Sequence, residues 1–249
     1  MKIKLLVAAA ATVVASSAMA QSAFEGFYGQ IATGYENNTA SNLNGTISNS
    51  PAYDGMPTSS NTSNQTFGTA PIIIGLGYNY LVAPKWTIGL GVDYSLLSQT
   101  SSTFSSQVQG GDYNGVTANG ASIKISNRFN VFVTPGYVID KDKLVYLKAG
   151  YSSVKTQTNG STSLNYDGGS EAISSSNPSA TANGYILGLG YKQIITGGVY
   201  GFAEANYMSY GKTSQTSTSP YTTGSGTTSI NTNGSLSTYQ LLVGVGYKF

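Results

Sequence analysis

Cysteine and histidine are both missing from the 249 residues. Without cysteine there is no disulfide framework and no thiolate metal site; the lack says nothing of compartment. Without histidine the chain has neither the usual general base nor the commonest metal ligand. Charge is scarce at 9%, against about 25% in ordinary soluble domains. Past the first twenty residues no apolar run is long enough for a helical membrane span. No cofactor and no metal is expected from these totals.

What is abundant is equally unusual, with 31 glycines and 19 tyrosines. The chain opens MKIKLLVAAAATVVASSAMA. Lys2 and Lys4 precede an apolar run from Leu5 to about Ala15, and Ala18-Met19-Ala20 gives a small-x-small site. That layout reads as a secretory signal peptide over residues 1–20, cleaved after Ala20. Losing Lys2 and Lys4 leaves ten basic side chains against ten acidic ones. No basic patch remains to hold nucleic acid, so no nucleic-acid partner is expected.

Residues 21–249 then read as a single domain of alternating strands. Eight segments carry the two-residue period: 26–36, 71–80, 86–97, 123–139, 144–154, 184–194, 199–211 and 238–249. Glycine is too frequent in them for helix interiors. Three connections are short, at 81–85, 140–143 and 195–198. They alternate with four long ones, at about 37–70, 98–122, 155–183 and 212–237. In an up-and-down antiparallel sheet, all short turns then lie at one end and all long loops at the other. That asymmetry predicts an all-β fold, a closed eight-stranded transmembrane barrel with short periplasmic turns and long external loops.

Parity assigns the faces. Trp86, Ile88, Leu90, Val92 and Tyr94 share one side of their strand, with Thr87, Gly89, Gly91, Asp93 and Ser95 on the other. In the last segment, Tyr239, Leu241, Val243, Val245, Tyr247 and Phe249 share a face. The same split groups Lys124, Arg128, Lys148 and Glu204 with Asp93 on the small, polar side. Bulky apolar residues outside and polar ones inside suit a barrel whose solvent is lipid. Tyr78, Tyr137, Tyr191 and Tyr247 fall near the short turns, and Tyr35, Tyr94, Tyr151 and Tyr207 near the long loops. They read as two aromatic girdles at headgroup level, which a soluble sandwich would not need.

Residues 238–249 resemble the terminal assembly signal of outer-membrane proteins, with alternating apolar residues, Tyr247, and a final Phe249. Together with the leader and the eight-strand layout, the chain resembles the small eight-stranded outer-membrane β-barrel family, the porin-like, OmpA/OmpX-type superfamily. The resemblance implies a Gram-negative outer membrane as the location. It implies membrane lipid and the barrel-assembly machinery as partners, the latter reading Tyr247 and Phe249. Many roles share this scaffold.

Function is thinner in the sequence. The GLG and GVG tripeptides lack the third glycine and following helix of a dinucleotide site, and lumen-facing glycine in a narrow barrel accounts for them. Enzymatic barrels of the resembled class rely on a histidine, so no enzyme is expected. Asp93, Lys124, Arg128, Lys148 and Glu204 form the expected lumen charge network, with Glu204 and Asp93 engaging Arg128 and Lys148. They read either as a polar core or as the gate of a narrow solute path. Within about 37–70, 98–122, 157–183 and 213–237 the loops contain Asp54, Asp112, Asp167 and Glu171 but no basic residue. They are expected to be mobile, solvated surface or contacts for an external ligand. The expected role is structural or surface interaction. Alternatives are a narrow channel, for small solutes or for apolar ones along Phe132, Tyr200, Phe202 and Leu242, and an adhesin acting through its loops. The protein should fractionate with the outer membrane and show heat-modifiable gel mobility; recovery in a soluble fraction would contradict every assignment above.

Overall fold

The computed structural model describes residues 23–221 and 225–249. The expected signal peptide lies outside them. Eight long strands dominate: β1 (Gly26–Ser50), β2 (Ile72–Ala83), β3 (Trp86–Ser95), β4 (Thr117–Asp140), β5 (Lys143–Asn159), β6 (Ser179–Thr196), β7 (Val199–Pro220) and β8 (Thr227–Lys248). Each pairs antiparallel with its sequence neighbour, and β8 returns to pair with β1 from Tyr28↔Lys248 to Ser50↔Thr227. The sheet therefore has no open edge along the barrel. Among the described residues no helix is long and apolar enough to cross a membrane.

The register sets the barrel's dimensions. A walk from Tyr28 passes Gly77, Gly91, Phe132, Gly150, Ile186, Met208 and Thr238, and reaches β1 again at Asn38. One circuit thus climbs ten residues, from 28 to 38. At ~3.3 Å per residue and ~4.8 Å per strand, the strands tilt by about 40°. The backbone cylinder is then roughly 16 Å across, room for side chains only.

The faces divide as lipid solvation requires. Leu76, Leu90, Leu147, Leu189, Leu241 and Val243 point outward and are exposed. Tyr28, Phe132, Tyr146, Tyr200 and Phe202 point inward and are buried. None of the eight girdle tyrosines is buried, and Tyr35, Tyr137, Tyr151 and Tyr247 are clearly exposed. Tyr80, Tyr185 and Tyr239 add to that outward set.

Inward glycines are shaped by the rings they face. A Cβ on Gly190 would stand 2.2 Å from the Tyr146 ring, and one on Gly246 2.3 Å from the Tyr200 ring. On Gly244 it would meet Phe202 at 2.5 Å, and on Gly91 it would meet Phe132 at 2.6 Å. Gly77, Gly91, Gly190, Gly244 and Gly246 of the GLG and GVG repeats thus mirror the lumen aromatics, while Gly75, Gly89 and Gly188 make room for Gln30, for Asn79 with Thr134, and for Asn206, a close-packing requirement in so narrow a cylinder.

The segments expected as long loops are largely strand. β1 runs on to Ser50, β7 to Pro220, and β8 begins at Thr227. Fourteen residues of β1 beyond Glu36 carry it roughly 45 Å further along its axis. Short strands fill the circuit at this level. Phe104–Gln109 pairs with β4 and with Ser59–Asn61, which pairs with β1. Ser163–Tyr166 pairs with β4 and with Gly169–Ala172. The Ser176 N–H then donates to the Thr218 carbonyl of β7 at 2.9 Å. The barrel so continues as a second, water-bathed storey. At the opposite end the turns are tight. The Lys141 N–H donates to Asp140 Oδ1 at 2.8 Å, and this bond, with nearby Lys143, holds the Asp140 carboxyl below the usual range.

Gly190→Val and Gly246→Val should each cost about 1–3 kcal/mol through overpacking against the facing tyrosine ring. Urea unfolding in lipid bilayers, read by tyrosine and Trp86 fluorescence, measures this. A substitution without cost would mean that the rings do not occupy the lumen as described.

Candidate functional site

The lumen contains six buried charged residues, with Arg128, Lys148 and Lys192 balanced by Glu36, Asp93 and Glu204. They arise because every second position of a strand faces inward and the cylinder admits little water. An isolated charge there would be costly, so each must find partners.

Arg128 centres the group nearer the external end. Its Nη1 lies 2.6 Å from Glu36 Oε2. Its Nε donates to the Tyr210 hydroxyl at 3.0 Å, and its Nη2 to Asn38 Oδ1 at 3.0 Å and Thr238 Oγ1 at 3.2 Å. Asn38 Nδ2 donates to Glu36 Oε1 at 3.0 Å and to Gln99 Oε1 at 2.8 Å. Gln240 donates to Glu36 Oε2. Strands β1, β4, β7 and β8 and residue Gln99 are thereby joined across the lumen.

Lys148 centres the next group. Its Nζ lies 2.9 Å from Asp93 Oδ2 and 3.1 Å from Glu204 Oε2, and 3.9 Å from the Phe132 ring centre. The Tyr146 hydroxyl donates to Glu204 Oε1 at 2.6 Å, and Asn206 Nδ2 to Glu204 Oε2 at 3.1 Å. Asn130 donates to Asp93. The third cation, Lys192, makes no ion pair among the described residues. Its Nζ stands 4.0 Å from the Tyr28 ring centre and 5.1 Å from those of Tyr146 and Tyr200. Desolvated cation–π contacts of this kind contribute about 2 kcal/mol.

Sequence parity placed Asp93, Arg128, Lys148 and Glu204 in the lumen, and they lie there. It paired them differently. Asp93 and Glu204 both take Lys148, while Arg128 takes Glu36. Lys124 is not in the lumen. Asn127 adopts φ 53° and the β4–β5 register shifts between Ser126 and Phe129. That bulge reverses the alternation on its outer side. Ile123 and Ile125 turn inward and are buried, and Lys124 turns outward and is partly exposed, as are Lys155 and Lys212 fully. Glu36 and Lys192 were missed. Parity could have found both, since Glu36 shares the phase of Tyr28 and Ala32, and Lys192 alternates with outward Leu189 and Tyr191.

Outside the charge layers the lumen is apolar. Ile123, Ile125, Val154 and Leu236 belong to one buried cluster, which reaches inward past Arg128 through Met208, Ile186 and Phe132. Tyr28, Ile73, Tyr200, Phe202 and Leu242 form another on the far side. Above the outer cluster, inside the second storey, a cavity of about 650 Å³ opens, floored by Leu43 and Ile123.

Replacing Arg128 with Met leaves Glu36 buried and unpaired, which should cost about 3–5 kcal/mol. Adding Glu36→Leu should recover at least half of that loss. Unfolding of the two single variants and the double variant in lipid bilayers tests the coupling; strict additivity would contradict a desolvated pair.

Comparison with known proteins agrees with this geometry. The sequence profile of the outer membrane protein beta-barrel domain matches residues 6–249. No curated protein matches the chain by sequence. Among solved structures, the outer membrane protease OmpT of Escherichia coli superposes with a TM-score of 0.50 at 11% identity, over 94% of this chain and 100% of that one. Neisserial surface protein A gives 0.47 at 16% identity, over 90% and 97% of the two chains. Ail, the attachment invasion locus protein of Yersinia pestis, solved with the heparin analogue sucrose octasulfate, gives 0.40 at 14%, over 90% and 99%. At such identities the likeness shows the fold alone, one that serves a protease among others. The profile match over nearly the whole chain is decisive: the protein belongs to the outer membrane protein β-barrel domain family.

Proposed function

We propose that this outer-membrane barrel is a surface-interaction protein with a sealed lumen, neither a solute channel nor an enzyme. One observation carries the reading. Between the two ends, the lumen is filled by successive layers of packed side chains, with Arg128, Lys148 and Lys192 each locked to carboxylates or rings. A gate would need a group free to move. Arg128 instead bonds from its own strand to residues of three others at once, so its displacement would break several charge-assisted bonds together. The inward Phe132, Tyr200, Phe202 and Leu242 are packing residues in this reading, not the lining of an apolar path.

The non-enzymatic reading is supported by the chain's lack of histidine. It is further supported by the lumen carboxylates' engagement with cations, which leaves none as a free base. Activity is then left to the second storey, the part that projects into the medium. Phe249 lies exposed at the other end, with its N–H donating to the Phe27 carbonyl at 2.9 Å. It and Tyr247 remain available to an assembly machinery, and the outward leucines to membrane lipid.

In planar bilayers the purified protein should give no steady openings, and liposomes carrying it should not swell in sugars of graded size. Steady single-channel openings that disappear on Glu204→Ala would overturn the sealed-lumen reading and restore the gate.

A further inference from the structure

The cavity of about 650 Å³ in the second storey falls within the ~300–1,000 Å³ usual for small-molecule sites. Its apolar walls come from Ile47, Val108 and Val116, all buried, and from Leu164 and Ile230 packed against them. Ten serines and threonines add hydroxyls to the lining. Two lining residues are charged, Asp112 and Glu171, and both are acidic. Neither joins any ion pair among the described residues. Asp54 and Asp167 lie on the same storey, and residues 37–66, 98–122, 157–183 and 213–237 contain no lysine or arginine.

We propose that this cavity binds a small, largely apolar molecule bearing one positive charge, such as an alkyl or aryl ammonium. The inference rests on the reading that the external storey is the working part of the molecule. Apolar walls supply the burial energy, about 25 cal/mol per Å² removed from water. The unopposed carboxylates select the sign. An anionic amphiphile of the same length would enter against Asp112 and Glu171 with no counter-charge to meet it. The field of four external carboxylates also draws cations toward the mouth. The floor separates this site from the lumen below, since Leu43 and Ile123 stand between the cavity and the Arg128 layer. Binding therefore requires no passage through the barrel.

The test uses the full-length protein in phosphatidylcholine nanodiscs with three probes of equal chain length: octyltrimethylammonium, octanol and octanoate. Titration calorimetry is corrected with empty nanodiscs. Saturable binding of the ammonium probe, at least tenfold tighter than octanoate and with octanol between, is expected. Ala118→Trp should weaken ammonium and octanol binding at least tenfold by filling the cavity. Ser60→Trp, on another wall, serves where Ala118→Trp fails to show heat-modifiable mobility. Asp112→Asn with Glu171→Gln should bring the ammonium-to-octanoate preference below threefold while octanol binding persists. No saturable binding beyond empty nanodiscs overturns the proposal, as does octanoate binding as tightly as ammonium. So does binding untouched by both tryptophan variants. The sealed lumen fails on a different result, steady bilayer openings, so the two failures are distinguishable.

Discussion

Hydrocarbon offers a strand edge nothing to bond with, and the pairing of β8 with β1 is the constraint from which the rest of this structure descends. Closing eight strands with a climb of ten residues per turn fixes the cylinder at a width that side chains fill. Once the width is fixed, the volume inside is rationed between opposing residues. A tyrosine or phenylalanine on one strand demands a glycine across from it, as Tyr146 does of Gly190 and Tyr200 of Gly246. The lumen aromatics, the glycines that face them and barrel closure are one fact seen from three sides.

The same enclosure governs the charges. A wide pore could leave Arg128 and Glu204 to water. Here neither has that option, so three cations and three carboxylates are distributed until each cation has carboxylates or rings around it. Arg128 reaches three other strands because its planar fork presents several donors at fixed angles. Lys148, a point charge, sits between two carboxylates and over a ring. Lys192 has only rings, and the Tyr28, Tyr146 and Tyr200 hydroxyls leave their faces free to meet it. These cross-lumen ties join strands that the sheet alone would leave unconnected.

Much of this was legible in the residues. The membrane-facing halves of the strands announce themselves because one face is solvated by lipid and the other by packed polar groups, so alternation is strong. Leu241, Val243 and Val245 against Gln240, Leu242 and Gly244 could be read without coordinates. The external halves could not. In β1 from Asn37 to Ser50, and in β8 from Thr227 to Ser237, apolar buried positions such as Ala40, Ile47 and Leu236 are scattered among polar ones. Serine, threonine and asparagine then suit either side, and the two-residue signal vanishes although the backbone stays paired. Lys124 went astray for a narrower reason. Parity assumes an unbroken count, and Asn127, a residue type that tolerates positive φ, inserts one extra step. Nothing in the residues marks it, because Ile123, Ile125, Val131 and Val133 are all apolar and keep one parity across the bulge. Glu36 lies at the last position of the expected segment 26–36, where the count from Tyr28 and Ala32 already points it inward.

Two storeys built from continuous strands thus meet opposite demands. In the lower one, lipid outside forces polarity inward and the narrow bore forces every group into a partnership. In the upper one, water outside removes both pressures, and the short strands Ser59–Asn61, Phe104–Gln109 and Ser163–Tyr166 widen the circuit beyond what eight close-packed strands would allow. The cavity appears at that widening. Its apolar wall is therefore not an extension of the membrane face, since Ile47 and Ile230 pair across β1 and β8 and are packed toward the interior of a water-bathed sheet. Placing such residues inward where the outside is already wet is the ordinary arrangement of a soluble barrel, and soluble barrels of open bore hold ligands. The chain reverses its solvent logic partway along β1, β4, β7 and β8, and its enclosed free volume lies on the side of that reversal where a ligand in the medium can reach it.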